Sequence, residues 1–285
     1  MLWQDLREEE FPAAIEQSGK LCVVPIGCLE MHGQHLPVGT DTKTCAYIAQ
    51  RAAEIEPVCV FPELYFGDVH GLTTWHGAVI FSTELMLRML TELCAEIARN
   101  GFKKILLLNG HGGNIPLLNT FVRSTMHDKK DYVVMCRKDF CYMVEDLVRE
   151  LNAGVEFPEL SDADIAYVRD FVAKKGKAGH AGLNETSILL KIDPQHVRTD
   201  RMHAVDGSCT HASSYLKRTG ILPSTRFWHH DYPNSYEGDH ADLASAGIGA
   251  ALLRRRIERQ AEACRLLKQD DRILEWNAEW NGKWL

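Results

Sequence analysis

The sequence predicts an α/β fold, a mostly parallel sheet covered on both faces by helices, and three of its features carry that expectation. Short apolar runs alternate with segments of helical spacing, which implies strand–helix–strand crossovers. The runs are apolar at successive positions, as strands buried on both faces are. Two of them lead straight into loops dense in His, Glu, Asp and Gly, and ligands of such sheets bind beyond the carboxyl ends of the strands.

Taken in order, Leu21–Ile26 (LCVVPI) reads as a buried strand, and the segment after Asp41 (TKTCAYIAQRAAEI) reads as a helix. Val58–Phe61 is the second strand. From Thr83 to Arg99 the apolar residues Leu85, Met86, Met89, Leu90, Leu93, Cys94 and Ile97 recur at helical spacing. Ser82 is suited to cap that helix, and Asn100-Gly101 to stop it. Ile105–Leu108 is a third buried strand, followed by a Gly-rich loop and a helix from about Pro116. Tyr132–Cys136 closes the series. Near the end, Ala241–Lys268 reads as one helix, and its basic patch RRRIER as a solvated face.

Composition narrows the function. The chain has 285 residues, 45% hydrophobic and 25% charged, so it can bury an ordinary core without staples. No repeat, low-complexity tract or linker divides it, and residues 1–285 are expected to form a single domain. The net charge of −7 offers no basic stripe for nucleic acid. No apolar run approaches the ~18 residues that span a bilayer. The N-terminus MLWQDLREEEF is acidic, unlike a signal peptide. Nine scattered cysteines without a CxxC pair read as reduced thiols, so the expected compartment is the cytoplasm.

Three segments carry chemistry. The first, leaving the strand at Ile26, contains Glu30, His32, His35 and Asp41. Residues two apart in extended chain face the same side, so Glu30 and His32 can share a metal, and Pro37 and Gly39 make a turn able to bring Asp41 back. Carboxylate with imidazole suits Zn²⁺, Mn²⁺ or Fe²⁺; the alternative is a polar loop that satisfies its own backbone. The second segment, Asn109-Gly-His111-Gly-Gly113-Asn114, lacks the ending of a P-loop and presents His111 at the sheet's carboxyl edge. Its alternative is a tight turn with a capping His. The third, His180-Ala-Gly-Leu-Asn184-Glu185-Thr-Ser, puts Glu185 in the first turn of a short helix. His180 there is suited to proton transfer near neutral pH, whereas Glu185 could equally be a helix-start charge. Ser-hydrolase and HExxH signatures are absent. Together the segments offer ligands for two metals sharing one carboxylate, an arrangement that makes a hydroxide nucleophile at neutral pH.

In that order, Glu30-x-His32-Gly-x-His35-Leu-Pro-x-Gly-Thr-Asp41, Asn109-Gly-His111-Gly-Gly-Asn114 and His180-Ala-Gly-x-x-Glu185-Thr-Ser resemble the creatininase (creatinine amidohydrolase) family. The resemblance covers residues 27–187. It implies a three-layer α/β/α fold, a dinuclear centre of divalent ions, hydrolysis of a C–N bond in a small cyclic amide or amide, and a homohexamer. By position, Glu30, His32, Asp41 and His111 match metal ligands, with Asp41 bridging, and His180 matches the catalytic histidine. Creatinine-hydrolysing members carry a metal-binding Glu two residues after the loop histidine, and here Gly113 stands there. In members with this HGGN loop, Glu185 is the matching substitute. The expected division is Glu30, Asp41 and His111 on one ion, and His32, Asp41 and Glu185 on the other. The leading expectation is an amidohydrolase in which His180 protonates the leaving nitrogen. Rivals keep the metals but cleave a formamide or peptide, or isomerise a polyol; another is a non-catalytic metabolite binder.

Creatinine itself is not the expected substrate. The segment that folds over the site in creatinine-hydrolysing members supplies tryptophans, and residues 137–180 contain none. Tyr142, Phe157, Tyr167 and Phe171 are available as substitutes there, and Trp75 or Trp228 from elsewhere, including a neighbouring subunit.

Overall fold

Strands β1 (Leu21–Ile26), β2 (Cys59–Val60), β3 (Lys104–Asn109) and β4 (Val133–Lys138) form one sheet in the order β2-β1-β3-β4, with every pairing parallel. This is a computed structural model that describes residues 1–138, 140–176, 178–221, 227–238 and 241–283. The α-helices are α1 (Phe11–Gln17), α2 (Thr40–Ile55), α3 (Thr83–Arg99), α4 (Asn114–Ser124), α5 (Val144–Asn152) and α6 (Asp162–Lys175). They continue with α7 (Leu183–Ile192), α8 (Ser214–Thr219), α9 (Phe227–Asp231), α10 (Ala246–Gln269) and α11 (Arg272–Lys283).

All six residues of β1 and of β3 are buried, because both faces of the sheet are covered. Leu21, Val23, Leu106 and Leu108 point to one face and pack with Ile48 of α2, Leu147 of α5, Leu189 of α7 and Leu252 of α10. Cys22, Val24, Ile26, Ile105 and Leu107 point to the other and pack with Leu90 and Ile97 of α3 and Leu118 and Phe121 of α4. The result is a three-layer α/β/α arrangement. Among the described residues no helix is long and apolar enough to cross a membrane.

The expected elements are present with shifted ends. Ser82 caps α3 as expected, its Oγ accepting the Leu85 N–H at 3.2 Å. β2 is shorter than Val58–Phe61, since Pro57 and Pro62 bracket it and cannot donate to a ladder. α4 begins at Asn114 rather than Pro116, because the first turn of a helix has no use for the missing proline N–H. The single helix expected over Ala241–Lys268 is in fact a 3₁₀ turn (Ala241–Leu243) followed by α10, and Ser245 restarts the chain by accepting from the Ile248 N–H at 3.1 Å.

The register decides where the chemistry goes. Ile26 lies opposite Asn109, the last pair of β1 and β3, and the Gly110 N–H donates to the Ile26 carbonyl at 2.9 Å. Both motif loops therefore leave the sheet side by side. Gly27 is required at that exit, for a Cβ there would lie 2.3 Å from Thr42 Oγ1.

Candidate metal centre

The loop after β1 carries Glu30 and His32, and the first turn of α2 carries Asp41. The loop after β3 carries His111, and Glu185 sits in the first turn of α7, just after His180. Asp41 and Glu185 thus both occupy helix N-termini, where the helix dipole favours an ionised carboxylate. All six side chains converge on one cavity of 660 Å³, lined by Glu30, Asp41, His111, His180 and Glu185 with His32 packed directly behind them.

Asp41 is the centre of the arrangement. Its Oδ2 lies 2.8 Å from His111 Nδ1, and its Oδ1 lies 3.2 Å from His32 Nε2. Glu30 Oε1 joins the first side, 3.0 Å from His111 Nδ1. Glu185 Oε2 joins the second, 3.6 Å from His32 Nε2. Ligand atoms of Glu30, Asp41 and His111 lie within 4.8 Å of one another, as do those of His32, Asp41 and Glu185. The two trios expected from the sequence are thus close-set, and so is a third, Glu30, His32 and His180, which places His180 within the same reach as the expected ligands. Cys28, which sequence reasoning passed over, joins the first trio, and its thiol donates to Asp41 Oδ2 at 3.2 Å.

Backbone carbonyls orient all three imidazoles. A carbonyl only accepts, so each ring nitrogen facing one must carry the hydrogen. His32 Nδ1 donates to the Glu30 carbonyl at 3.2 Å, His111 Nε2 to that of Asp68 at 3.1 Å, and His180 Nε2 to that of Met31 at 2.8 Å. The remaining nitrogen of each ring then turns its lone pair toward the carboxylates, as metal-binding histidines held by an outer partner do. His180 Nδ1 is 3.8 Å from Glu30 Oε1.

Charge is concentrated here among largely buried side chains. Burial alone would raise the Asp41 carboxyl, but His32 and His111 hold it well below the usual range. Burial opposes the charged Glu30 too, and there His111 and His180 prevail and lower its pKa. Burial would depress His32, but Asp41, Glu185 and Glu30 push it up to about 10. Glu30 Oε1 is buried without a hydrogen bond. An orphaned carboxylate oxygen beside oriented imidazoles fits divalent cations, which replace the imidazolium protons as counter-charge. The donor set of imidazole and carboxylate suits Zn²⁺, Mn²⁺ or Fe²⁺.

Gly113 does not merely lack a carboxylate. A Cβ at this position would lie 2.4 Å from His111 Nε2 and 2.5 Å from the Asp68 carbonyl, so a side chain would have to displace the bond that orients His111.

Of the aromatic residues the sequence offered for the cavity wall, only Trp228 lines it among the described residues. Trp228 of this same chain lines the cavity, edge-on to His180 with ring centroids 5.3 Å apart. Phe140 and Met143 line it as well, whereas Tyr142, Phe157 and Phe171 are buried in the core and Tyr167 packs against it. Trp75 packs with Cys28, Val69 and Leu72. Sequence reasoning also missed what holds the His180 loop. Ala181 adopts φ 56°, and its carbonyl is within 3.0 Å of His35 Nε2 and 3.1 Å of the Thr186 hydroxyl, both donors. A β-carbon at positive φ in a site loop was the only signal, and it is invisible before folding.

Comparison with known proteins shows which family and fold the chain resembles. The sequence model of the creatininase family, described as creatinine amidohydrolase, matches residues 4–264. Mycofactocin precursor peptide peptidase of Mycolicibacterium smegmatis is 28% identical over 188 residues, 64% of this chain and 62% of that protein. The chain thus spans about 62% of the length of the peptidases it matches. Creatinine amidohydrolase of Pseudomonas putida is 23% identical over 209 residues, 70% of this chain and 74% of that one. A 2-amino-5-formylamino-6-ribosylaminopyrimidin-4(3H)-one 5'-monophosphate deformylase of Methanobrevibacter smithii is 31% identical over 117 residues, 41% of this chain and 50% of that one. Among solved structures, a creatininase with Mn superposes with a TM-score of 0.71 at 19% identity, covering 94% of this chain and 99% of that one. A mutant creatininase of Zn–Zn type gives 0.69 at 20% identity, covering 94% and 98%.

Proposed function

The chain belongs to the creatininase family, and on that premise we propose that it is a metal-dependent amidohydrolase that opens a C–N bond next to a carbonyl in a small molecule. The two trios sharing Asp41 carry this reading. Glu30, Asp41 and His111 would hold one divalent ion, and His32, Asp41 and Glu185 a second. Bound there, the ions would supply Lewis-acid polarisation of the carbonyl and acidify a water at neutral pH.

The rest is the work of the chain. Three carboxylates would offset the charge of the ions, and the carbonyls of Glu30 and Asp68 hold the His32 and His111 imidazoles in one tautomer. His180, with Nε2–H committed to Met31, presents Nδ1 as the atom that takes up and returns a proton. Its edge-on contact with Trp228 keeps the ring from turning away. Trp228, Phe140 and Met143 supply apolar wall to the cavity in which the reacting bond would lie.

The relatives include a peptide peptidase, a creatinine amidohydrolase and a deformylase, whose names share a bond class rather than a substrate. Likeness to the peptidases favours a second reading in which the bond is a peptide bond. Metal analysis with a hydrolysis panel of cyclic amides, formamides and short peptides tests both. Fewer than about one transition-metal ion per chain after metal-supplemented expression would overturn the proposal, and the cleaved member of the panel decides between the readings.

A further inference from the structure

The basic patch of α10 divides. Arg254 pairs with Glu159 at 2.7 Å and Arg255 with Glu150 at 2.8 Å, as a helix face held by neighbouring acids should. Arg256 does neither. It lies on the inward row Ile248, Leu252, Arg256, Gln260, Cys264, all of them buried, and only 4% of it is exposed. Its Nε donates to the Tyr142 carbonyl at 2.9 Å and its Nη2 reaches the Met143 sulfur at 3.0 Å. Among the described residues no carboxylate pairs with it, and no hydrogen bond is made by Nη1.

A guanidinium cannot shed its proton, and burying one without an anion is costly. What exposure it keeps opens into the cavity of the metal centre, which Arg256 helps to line. The Met143 sulfur that Nη2 reaches is also 3.7 Å from Asn184 Nδ2, and Asn184 immediately precedes Glu185. Arg256 therefore stands on the cavity wall with Met143 and Asn184. Thr44, which also lines the cavity, has a buried hydroxyl without a hydrogen-bond partner.

We propose that Arg256 is the anchor for a carboxylate on the substrate, so that the enzyme acts on amides that also bear a carboxylate. The geometry favours a single planar anion, for the fork of one arginine matches a carboxylate. Glu185 and Glu237 on the cavity wall oppose a more highly charged group. The inference rests on the amidohydrolase reading only for the word substrate; the anion site stands on the buried guanidinium.

The test measures binding. Hippurate and its neutral analogue hippuramide share an amide and a ring and differ only in the carboxylate. Each is titrated calorimetrically into metal-loaded wild type, Arg256→Met and Arg256→Lys, with metal content measured on every sample. Wild type is expected to bind hippurate at least about tenfold tighter than hippuramide. Arg256→Met should erase that preference at unchanged metal content and leave hippuramide binding as it was. Arg256→Lys, which keeps the charge without the fork, should fall between, and it serves alone if the Met variant does not fold. Equal binding of both compounds to wild type, no binding of either, or a preference that survives unchanged in the variants overturns the proposal. Turnover is not needed, so a protein that discriminates hippurate yet hydrolyses no amide refutes the proposed function and leaves Arg256 in place.

Discussion

The Ala181 N–H donates to Glu185 Oε2 at 2.6 Å, linking a residue at φ 56° in the His180 loop to a carboxylate of the proposed second ion site. The bond fixes Glu185 before any ion arrives. It also makes Glu185→Gln a clean probe, because the amide oxygen can still accept from Ala181 while the charge is gone. The variant should keep its fold and lose one ion selectively, leaving about one per chain by elemental analysis. Two retained ions with normal activity would return Glu185 to the role of a helix-start charge.

Asp41 faces both histidine ligands, Oδ1 to His32 and Oδ2 to His111. Asp41→Ala should therefore empty both ion sites together and abolish essentially all hydrolysis. Full metal content in that variant would show that the carboxylate is not shared.

His180 turns Nδ1 toward Glu30 at 3.8 Å, farther than the ligand contacts of His111. His180→Ala should keep near-normal metal content while kcat falls by about 10²–10⁴, the usual share of a general acid–base group. Loss of metal instead would make His180 a ligand.

Creatinine should be a poor substrate. Gly113 has no room for a further carboxylate, and a single tryptophan, Trp228, lines the cavity among the described residues. A missing stacking contact costs roughly 0.5–2 kcal/mol, which shifts preference without forbidding turnover. Steady-state hydrolysis with Zn²⁺ and Mn²⁺ supplied should give kcat/KM below about 10⁴ M⁻¹s⁻¹, the low end of ordinary enzymes.

Acid should weaken the fold through His35. Burial pushes this imidazole down to about 4, since protonation would create a second N–H at Nδ1, a buried atom with no partner. The unfolded chain binds the same proton near pH 6.5, so the folded state loses stability as pH falls from about 6.5 to about 4. Above that window the contribution is fully present, and across it the loss is about 3 kcal/mol. Urea unfolding of chelator-treated protein at pH 7, 5.5 and 4.5 would measure it, and His35→Gln should flatten the dependence. An unchanged slope in that variant would assign the acid sensitivity to other groups.

What the sequence determined by itself was local. The runs LCVVPI and Ile105–Leu108 are apolar at successive positions, as strands covered on both faces are, so β1 and β3 were legible to within a residue. Ser82 and Asn100 marked α3, because capping chemistry is read within one turn. The site residues were legible as three dense loops whose order resembled one family. The tertiary structure alone decided what stands opposite what. The pairing of Ile26 with Asn109 puts His111 against Asp41, 70 positions away along the chain. The same folding carries Trp228 to His180, His35 to the Ala181 carbonyl, and Arg256 into the cavity while its two neighbours in the basic run stay with their acids. Periodicity tells which side of an element is buried, but the partner across the gap depends on non-local register and packing, which no window of sequence contains.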